Sequence, residues 1–399
     1  MKLIDTNTKN NVLRSMIQIL DRRREEIIKA NEDDLEAFGE TGGAMYDRLI
    51  VNDKKVDGMI QSVKEVMEQE DPVGQEISHR VLESGLDITN KTAPFGTIMI
   101  IYESRPDVTI EAAVLAFKAN NKIYLKGGKE ANHSNKVLVE CWHEALKENG
   151  LESNWIELLQ LNREETQEFL KNPPEKLDLI VPRGGERLIA FVKQHATGAV
   201  LVSGRGNNFL YVSKNADFDT AKKVILNAKT DKISGCNALD KVLIDRSLPN
   251  YEERLKELQE LMKKNQVQIL VDEEVSKVLT KEEKIPEENT WYEEFLAMKI
   301  VLGSVGNMEE AIEKINKYSG GHSASIISTN KEEAMNFMEQ VDSAAVYHNA
   351  STRFTDGGQM GVGAELAIST DKLHHRGPLG LKQLVTNKYY VLGEGHVRV

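Results

Sequence analysis

Two cysteines occur in 399 residues, and their surroundings differ. Cys236 lies in "TDKISGCNALDK" (230–241), a polar stretch with Gly235 immediately before it and Lys229 and Lys232 nearby. A thiol with a pKa of about 8.5 is mostly protonated at neutral pH, and neighbouring cations or main-chain N–H groups raise its thiolate fraction. The pattern suits a nucleophile, with packing inside a loop as the alternative. A cysteine hydrolase would also need a histidine to take the thiol proton; His322 and His348 are available, and that alternative stays open. Cys141, in "NKVLVECWHEALKENG", falls at helical spacing from Val137, Leu138 and Ala145. It reads as an inert core thiol, since free cysteine is among the most buried residue types.

The elements that must position Cys236 are a helix predicted over 217–229 and the apolar run "KVLID" from 241. Upstream, short apolar runs alternate with helix-length segments: "TIMIIYE" (97–103), "KIYLK" (122–126), "WIELLQ" (155–160), "LDLIV" (177–181) and "AVLVS" (199–203). They lack the in-out alternation of half-exposed strands, so they read as parallel strands covered on both faces. A second series follows "KVLID": a helix over 250–264, "VQILVD", "KIVLGSV", a helix over 308–317, "SASIIS" and "AAVYHN". Two doubly wound α/β lobes result, with their junction near residue 230. Residues 8–38 and 53–70 are predicted as amphipathic helices. The alternating stretch 79–94 reads as a protruding hairpin, and 387–399 as a strand. Exposed strand edges tend to pair, which points to a subunit contact.

The formal net charge of -12 opposes nonspecific binding to nucleic acid or to an anionic membrane. No run of 18 apolar residues and no secretory leader is visible, so a soluble cytoplasmic protein is expected. Without HExxH or CxxC, no metal site is expected.

The stretches "NAKTDKISGCNALDKVLI", "APFGTIMIIYESRPDVT", "YLKGGKEA", "LIVPRGG" and "HNASTRFTDGGQMGVGAELAISTDKLHHRGPLGL" resemble the γ-glutamyl phosphate reductase (glutamate-5-semialdehyde dehydrogenase) branch of the aldehyde dehydrogenase superfamily. The resemblance runs from about residue 5 to the C-terminus. It implies an aldehyde dehydrogenase-like α/β fold with a cofactor-binding domain over 1–228, an oligomerisation hairpin (79–94) inserted in it, a catalytic domain over 229–358, and a return segment with a C-terminal oligomerisation strand over 359–399. It also implies NADPH-dependent reduction of L-glutamyl 5-phosphate to L-glutamate 5-semialdehyde and phosphate, the second step of proline biosynthesis from glutamate. A homo-oligomer is expected, and an association with glutamate 5-kinase is left open. Two alternatives remain: another phosphate-dependent aldehyde oxidoreductase of the superfamily, and a non-catalytic nucleotide-binding relative.

By resemblance Cys236 is the nucleophile and forms a thioester, which accepts hydride more readily than a carboxylate. Asn237, the main-chain N–H of Cys236 and Arg105 are expected at the developing oxyanion, with a brace for the turn before Pro106 as the alternative for Arg105. Lys126, Arg183, Gly184 and Gly185 are expected at NADPH or NADP+, and Glu294 at the nicotinamide ribose, with Glu293 competing for that register. Ser351, Thr352 and Arg353 are expected to bind the α-carboxylate or the phosphate. Where hydrolytic relatives carry a glutamate base, "LVSGRGNN" (201–208) has no acid. The family commonly has an acid after its His-Ser pair; Ala324 stands there, so His322 gains no role from such an acid.

Overall fold

A computed structural model describes residues 2–39, 42 and 44–398. The chain forms two compact units: Met1–Val202 with Gly361–Ala367 and Leu379–Val399, and Ser203–Met360 with Ile368–Pro378. In the first unit, α1 (Thr6–Arg22), α2 (Arg24–Phe38), α3 (Ala44–Leu49) and α4 (Asp53–Glu68) precede any strand. The Asp5 side chain accepts from Thr8 N to start α1, whose Val12, Leu13, Met16, Ile19 and Leu20 form one buried face. Next come β1 (Glu76–Val81), β2 (Asp87–Pro94), β3 (Thr97–Tyr102), α5 (Pro106–Lys118), β4 (Lys122–Lys126), α6 (Asn132–Glu148), β5 (Ile156–Leu158), α7 (Arg163–Lys171), β6 (Leu179–Arg183) and α8 (Glu186–His195). Strands β5-β4-β3-β6 form a parallel sheet. Every residue of β3 is buried, which explains why its sequence does not alternate. The expected strand at 199–203 is only a single parallel bridge between Ile180 and Val200.

The predicted hairpin is present as β1 and β2, and the C-terminal strand Val385–Leu392 pairs antiparallel with β2 along its whole length. This three-stranded sheet exposes Ile77, Val81, Tyr389, Tyr390, Val391 and Leu392.

The second unit contains β7 (Asn208–Val212), α9 (Phe218–Thr230), β8 (Leu239–Asp245), α10 (Tyr251–Lys264), β9 (Gln268–Val271), α11 (Glu273–Ser276), β10 (Glu283–Lys284), β11 (Lys299–Val305), α12 (Met308–Tyr318), β12 (Ser323–Ile327), α13 (Lys331–Gln340) and β13 (Ala345–His348). Its seven strands run β10-β9-β11-β8-β7-β12-β13, with every pair parallel. Alternate residues of the same strands feed two cores: Leu210, Val242 and Leu302 on one face, Phe209, Leu243 and Val301 on the other. Helices therefore cover both faces. Strand β7 was missing from the runs read in the sequence. It is short and opens on Asn208, a residue uncommon in strands. A small ladder of β14 (Ile368–Ser369) and β15 (Gly377–Pro378) completes this unit, and the C-terminal strand, β16, belongs to the first.

The compact units divide at Val202/Ser203 rather than after residue 228. Because β7 pairs with β8 and β12, it and α9 belong with the unit that carries Cys236. Among the described residues, no helix is long and apolar enough to cross a membrane, and no group of three or more His, Cys, Asp or Glu side chains is arranged to hold a metal.

Candidate active site

Cys236 sits half-buried on the turn that links α9 to β8. Two short backbone bonds shape that turn, Gly235 N to Lys232 O at 3.1 Å and Ala238 N to Gly235 O at 3.0 Å. From one side the 206–208 segment fastens it. Asn208 Nδ2 lies 2.8, 2.8 and 2.7 Å from the carbonyl oxygens of Gly206, Cys236 and Ala238. Gly206 packs so closely beneath that a Cβ there would collide with the Cys236 carbonyl and Cα, so only glycine permits the approach. Lys229, expected to favour the thiolate, is instead fully buried and paired with Asp240 at 2.8 Å.

From the other side, residues 351–355 hold the turn. The Thr352 hydroxyl donates to Asn237 O at 2.7 Å, and Asn237 Nδ2 donates to Arg353 O and Thr355 O at 3.1 and 2.9 Å. Both hydrogens of the Asn237 amide are thus engaged, which corrects the expectation that this side chain serves the oxyanion: it is a clamp. Thr352 is likewise fully buried and committed to the backbone, so it is a brace rather than a substrate ligand. Ser351 Oγ accepts from Arg353 N at 3.3 Å. Arg353 turns to Asp231, its Nε donating to Oδ2 at 3.0 Å.

The candidate histidines have other partners. His322 is fully buried, and burial pushes its pKa down to about 4. Its Nδ1 lies 2.7 Å from Ser323 Oγ, and the chain of contacts continues through Thr355 Oγ1 to Tyr347 Oη. His348 Nε2 lies 2.8 Å from Ser328 O.

The loop carrying Glu293 and Glu294 is pinned on both sides of Glu294. Lys241 Nζ donates to Glu293 O at 2.6 Å, and Phe295 N donates to Asp240 Oδ2 at 3.0 Å. Lys241 also bonds Asn207 Oδ1 at 2.8 Å and lies 3.9 Å from the centroid of the Phe295 ring. Burial lowers its pKa to about 7. Asn207 Nδ2 in turn donates to Trp291 O and Tyr318 O. Glu294 itself is half-buried.

In the first unit, Arg105 is the residue before α5 and turns back on Asp107, with Nη2 to Oδ2 at 3.0 Å. Lys55 Nζ meets the same oxygen at 2.9 Å. Burial alone would raise the Asp107 pKa, but the two cations hold it well below the usual carboxylate range. The bracing geometry is therefore present.

A cavity of about 900 Å³ opens beyond the C-terminal ends of β3, β4 and β5, where open parallel sheets place ligands. Lys126, the last residue of β4, lines it, and burial lowers its pKa. Lys129, Arg163 and Arg187 add three cations that the sequence reading missed, and Leu159, Leu188 and Phe191 supply apolar wall. Arg183 does not line it; its Nη1 turns to Glu111 at 3.5 Å. Gly184 and Gly185 adjoin Glu103, which does line it, and Gly185 N donates to the Glu103 carboxylate at 3.3 Å. A hole of this size with apolar walls and four cations fits a dinucleotide bearing phosphates. Side chains within reach of it are Lys126, Lys129, Arg163 and Arg187.

The aldehyde dehydrogenase family model matches residues 1–278 and 285–365. The chain belongs to that family. Within it the chain is a member of the γ-glutamyl phosphate reductases: it is 43% identical over 397 residues to the gamma-glutamyl phosphate reductase of Thermotoga maritima, covering 98% of this chain and 94% of the relative. It is 40% identical to that of Dictyoglomus turgidum, covering 100% and 96%. The crystal structure of the Thermotoga maritima gamma-glutamyl phosphate reductase superposes with a TM-score of 0.93 over 99% of this chain and 95% of that one.

The 201–208 stretch, which carries no acid, supplies Gly206, Asn207 and Asn208, and all three hold backbone in place. The only sequence signal for them was the missing acid.

Proposed function

We propose that this chain reduces L-glutamyl 5-phosphate to L-glutamate 5-semialdehyde and phosphate with NADPH, as the second step of proline biosynthesis from glutamate. The observation that carries this reading is the half-buried Cys236 turn, fastened by Asn208 and Asn237 in a second unit whose 203–208 segment has no acid to activate water. Attack by the Cys236 thiolate on the γ-acyl carbon forms a C–S bond and breaks the C–O bond to phosphate, which departs with the electron pair. The main-chain N–H of Cys236 and the guanidinium of Arg105 are assigned to the oxyanion of this adduct, with Arg105 also suited to the departing phosphate. A reduced nicotinamide, when bound, supplies the hydride. Collapse of the resulting adduct breaks the C–S bond, and the sulfur regains a proton as the aldehyde leaves.

The same reading assigns Lys126, aided by Lys129, Arg163 and Arg187, to the cofactor's phosphates, with the 2'-phosphate as the reason for four cations. Glu294 is assigned to the nicotinamide ribose, held in register by the bonds on either side of it. The exposed apolar strands β1 and β16 are assigned to a homo-oligomer contact, and a cytoplasmic location goes with the biosynthetic role.

The test runs the reaction backward, with semialdehyde, phosphate and NADP+. We expect phosphate-dependent NADPH formation that drops about 10⁴-fold or more in Cys236→Ala. Equal rates in the variant, or turnover without phosphate at the full rate, would overturn the reading.

A further inference from the structure

A second cavity, of about 280 Å³, is lined by Asn227, Asp231, Arg353, Phe354, Asp356 and Gln359, all in the unit that carries Cys236. Its polar inventory is specific: one guanidinium, two carboxylates and two amides. A phosphate or a simple dicarboxylate would be drawn to Arg353 but repelled by both aspartates. A group with one carboxylate and one ammonium complements all three charges.

The parts are held in place. Arg353 is fixed through its main chain by Asn237 and Ser351, and through Nε by Asp231 at 3.0 Å. Its Nη1 reaches the Cys236 turn: a Cβ on Gly235 would come within 2.8 Å of it. Asp356 is oriented by Gly358 N and Gln359 N, which donate to Oδ1 at 3.0 and 3.2 Å. The charged cavity and the nucleophile therefore share one short piece of chain. In a glutamyl group two methylene carbons separate the acyl carbon from the carbon that bears the amino and carboxylate groups, so the two ends must be held by neighbouring parts of one site.

We infer that this cavity receives the amino-acid end of the substrate as a zwitterion, with Arg353 on the α-carboxylate and Asp231 and Asp356 flanking the α-ammonium. This rests on the reaction proposed above and adds the substrate's amino group to what the site selects.

The amino group also threatens the reaction. In a γ-glutamyl thioester, the neutral amine is an internal nucleophile whose attack on the acyl carbon closes a five-membered ring. Its attack forms an N–C bond, breaks the C–S bond and passes a proton from nitrogen to sulfur. The products are 5-oxoproline and the Cys236 thiol, with no change in oxidation state. Such ring closures enjoy very high effective molarity. An ammonium has no lone pair to attack with, and two carboxylates beside it favour the protonated form. Holding the head group as a zwitterion thus protects the acyl-enzyme from destroying itself.

The experiment uses the full chain and the variants Asp231→Asn and Asp356→Asn. Asp231 is half-exposed, so its amide tests the charge without disturbing a core. The first measurement compares kcat/KM, with phosphate and NADP+, for glutamate 5-semialdehyde and for 5-oxopentanoate, which lacks only the amino group. We expect the preference for the amino-bearing aldehyde to fall at least about ten-fold in the variants. The second omits phosphate, lets the acyl-enzyme form from semialdehyde and NADP+, and counts 5-oxoproline per NADPH; we expect a rise of about five-fold or more. Variants that slow both aldehydes equally, with the same 5-oxoproline yield as wild type, would reduce the aspartates to structural supports for Arg353 and overturn the inference. A wild-type chain that makes no NADPH from either aldehyde would instead overturn the parent reaction.

Discussion

Cys141 and Cys236 carry the same thiol in two regions that treat it in opposite ways. Cys141 is fully buried on α6 beside Trp142, Leu138 and Ala145, and burial pushes its pKa up to about 12. Cys236 is half-buried on a turn whose carbonyl, neighbouring amide and underlying glycine are all tied down. In the first region, packing around the sulfur removes its reactivity. In the second, hydrogen bonds fix the backbone that carries the sulfur, as the nucleophilic role proposed above requires. Polar bonds to the main chain, rather than side chains crowding the thiol, distinguish this setting from a core residue's.

The sharpest way to break this contrast is alkylation of the native protein. A pKa near 12 leaves Cys141 about 10³-fold less thiolate than an ordinary cysteine, before any loss of access is counted. Iodoacetamide followed by peptide mapping should therefore label Cys236 well before Cys141, which reacts only after unfolding. Comparable labelling of the two would end the comparison.

His322 extends the Cys141 side of it, as another titratable group held neutral by burial. The unfolded chain protonates this histidine below about pH 6.5, whereas the folded chain does so only near 4. Between those values the unfolded state binds more protons, so the contribution is complete above 6.5 and is lost as the pH falls toward 4. The gap corresponds to about 3 kcal/mol. Denaturant midpoints at pH 7 and 4.5 should fall more for wild type than for His322→Leu; parallel losses would show that this histidine does not titrate in the window.

The smallest expected effect tests the other side. Asn208→Ala removes the amide that lies against three carbonyls, including that of Cys236. We expect kcat in the reverse assay to drop about 10- to 100-fold, with KM for NADP+ unchanged and stability lowered by about 1–3 kcal/mol. A stability loss with intact kcat would mean that the turn keeps its shape without the clamp.

What was readable in the sequence follows the same division. Runs such as "TIMIIYE" and "KIVLGSV" announce buried parallel strands because apolar continuity is local. Cys236 stood out as a thiol among polar residues, and Lys126 as a cation at a strand end. Asn208, Asn207 and Lys241 could not be found that way, since each acts on a carbonyl 28 to 111 residues distant. Lys229 misled for the same reason: its nearness in sequence to Cys236 suggested a shared field, but its charge is spent on Asp240. Asn237 misled in a different way, because adjacency to the nucleophile says nothing about which carbonyls an amide will face. The division after 228 missed β7, whose partners lie on either side of it in space but far away along the chain.

The pairing of β16 with β2 joins Val385–Leu392 to Asp87–Pro94, so an early hairpin is completed by chain 297 residues further on, where Asn387 meets Asn90. During translation β2 keeps one edge bare until that strand has emerged from the ribosome. A nascent chain halted before it would leave that edge open to pairing with other strands.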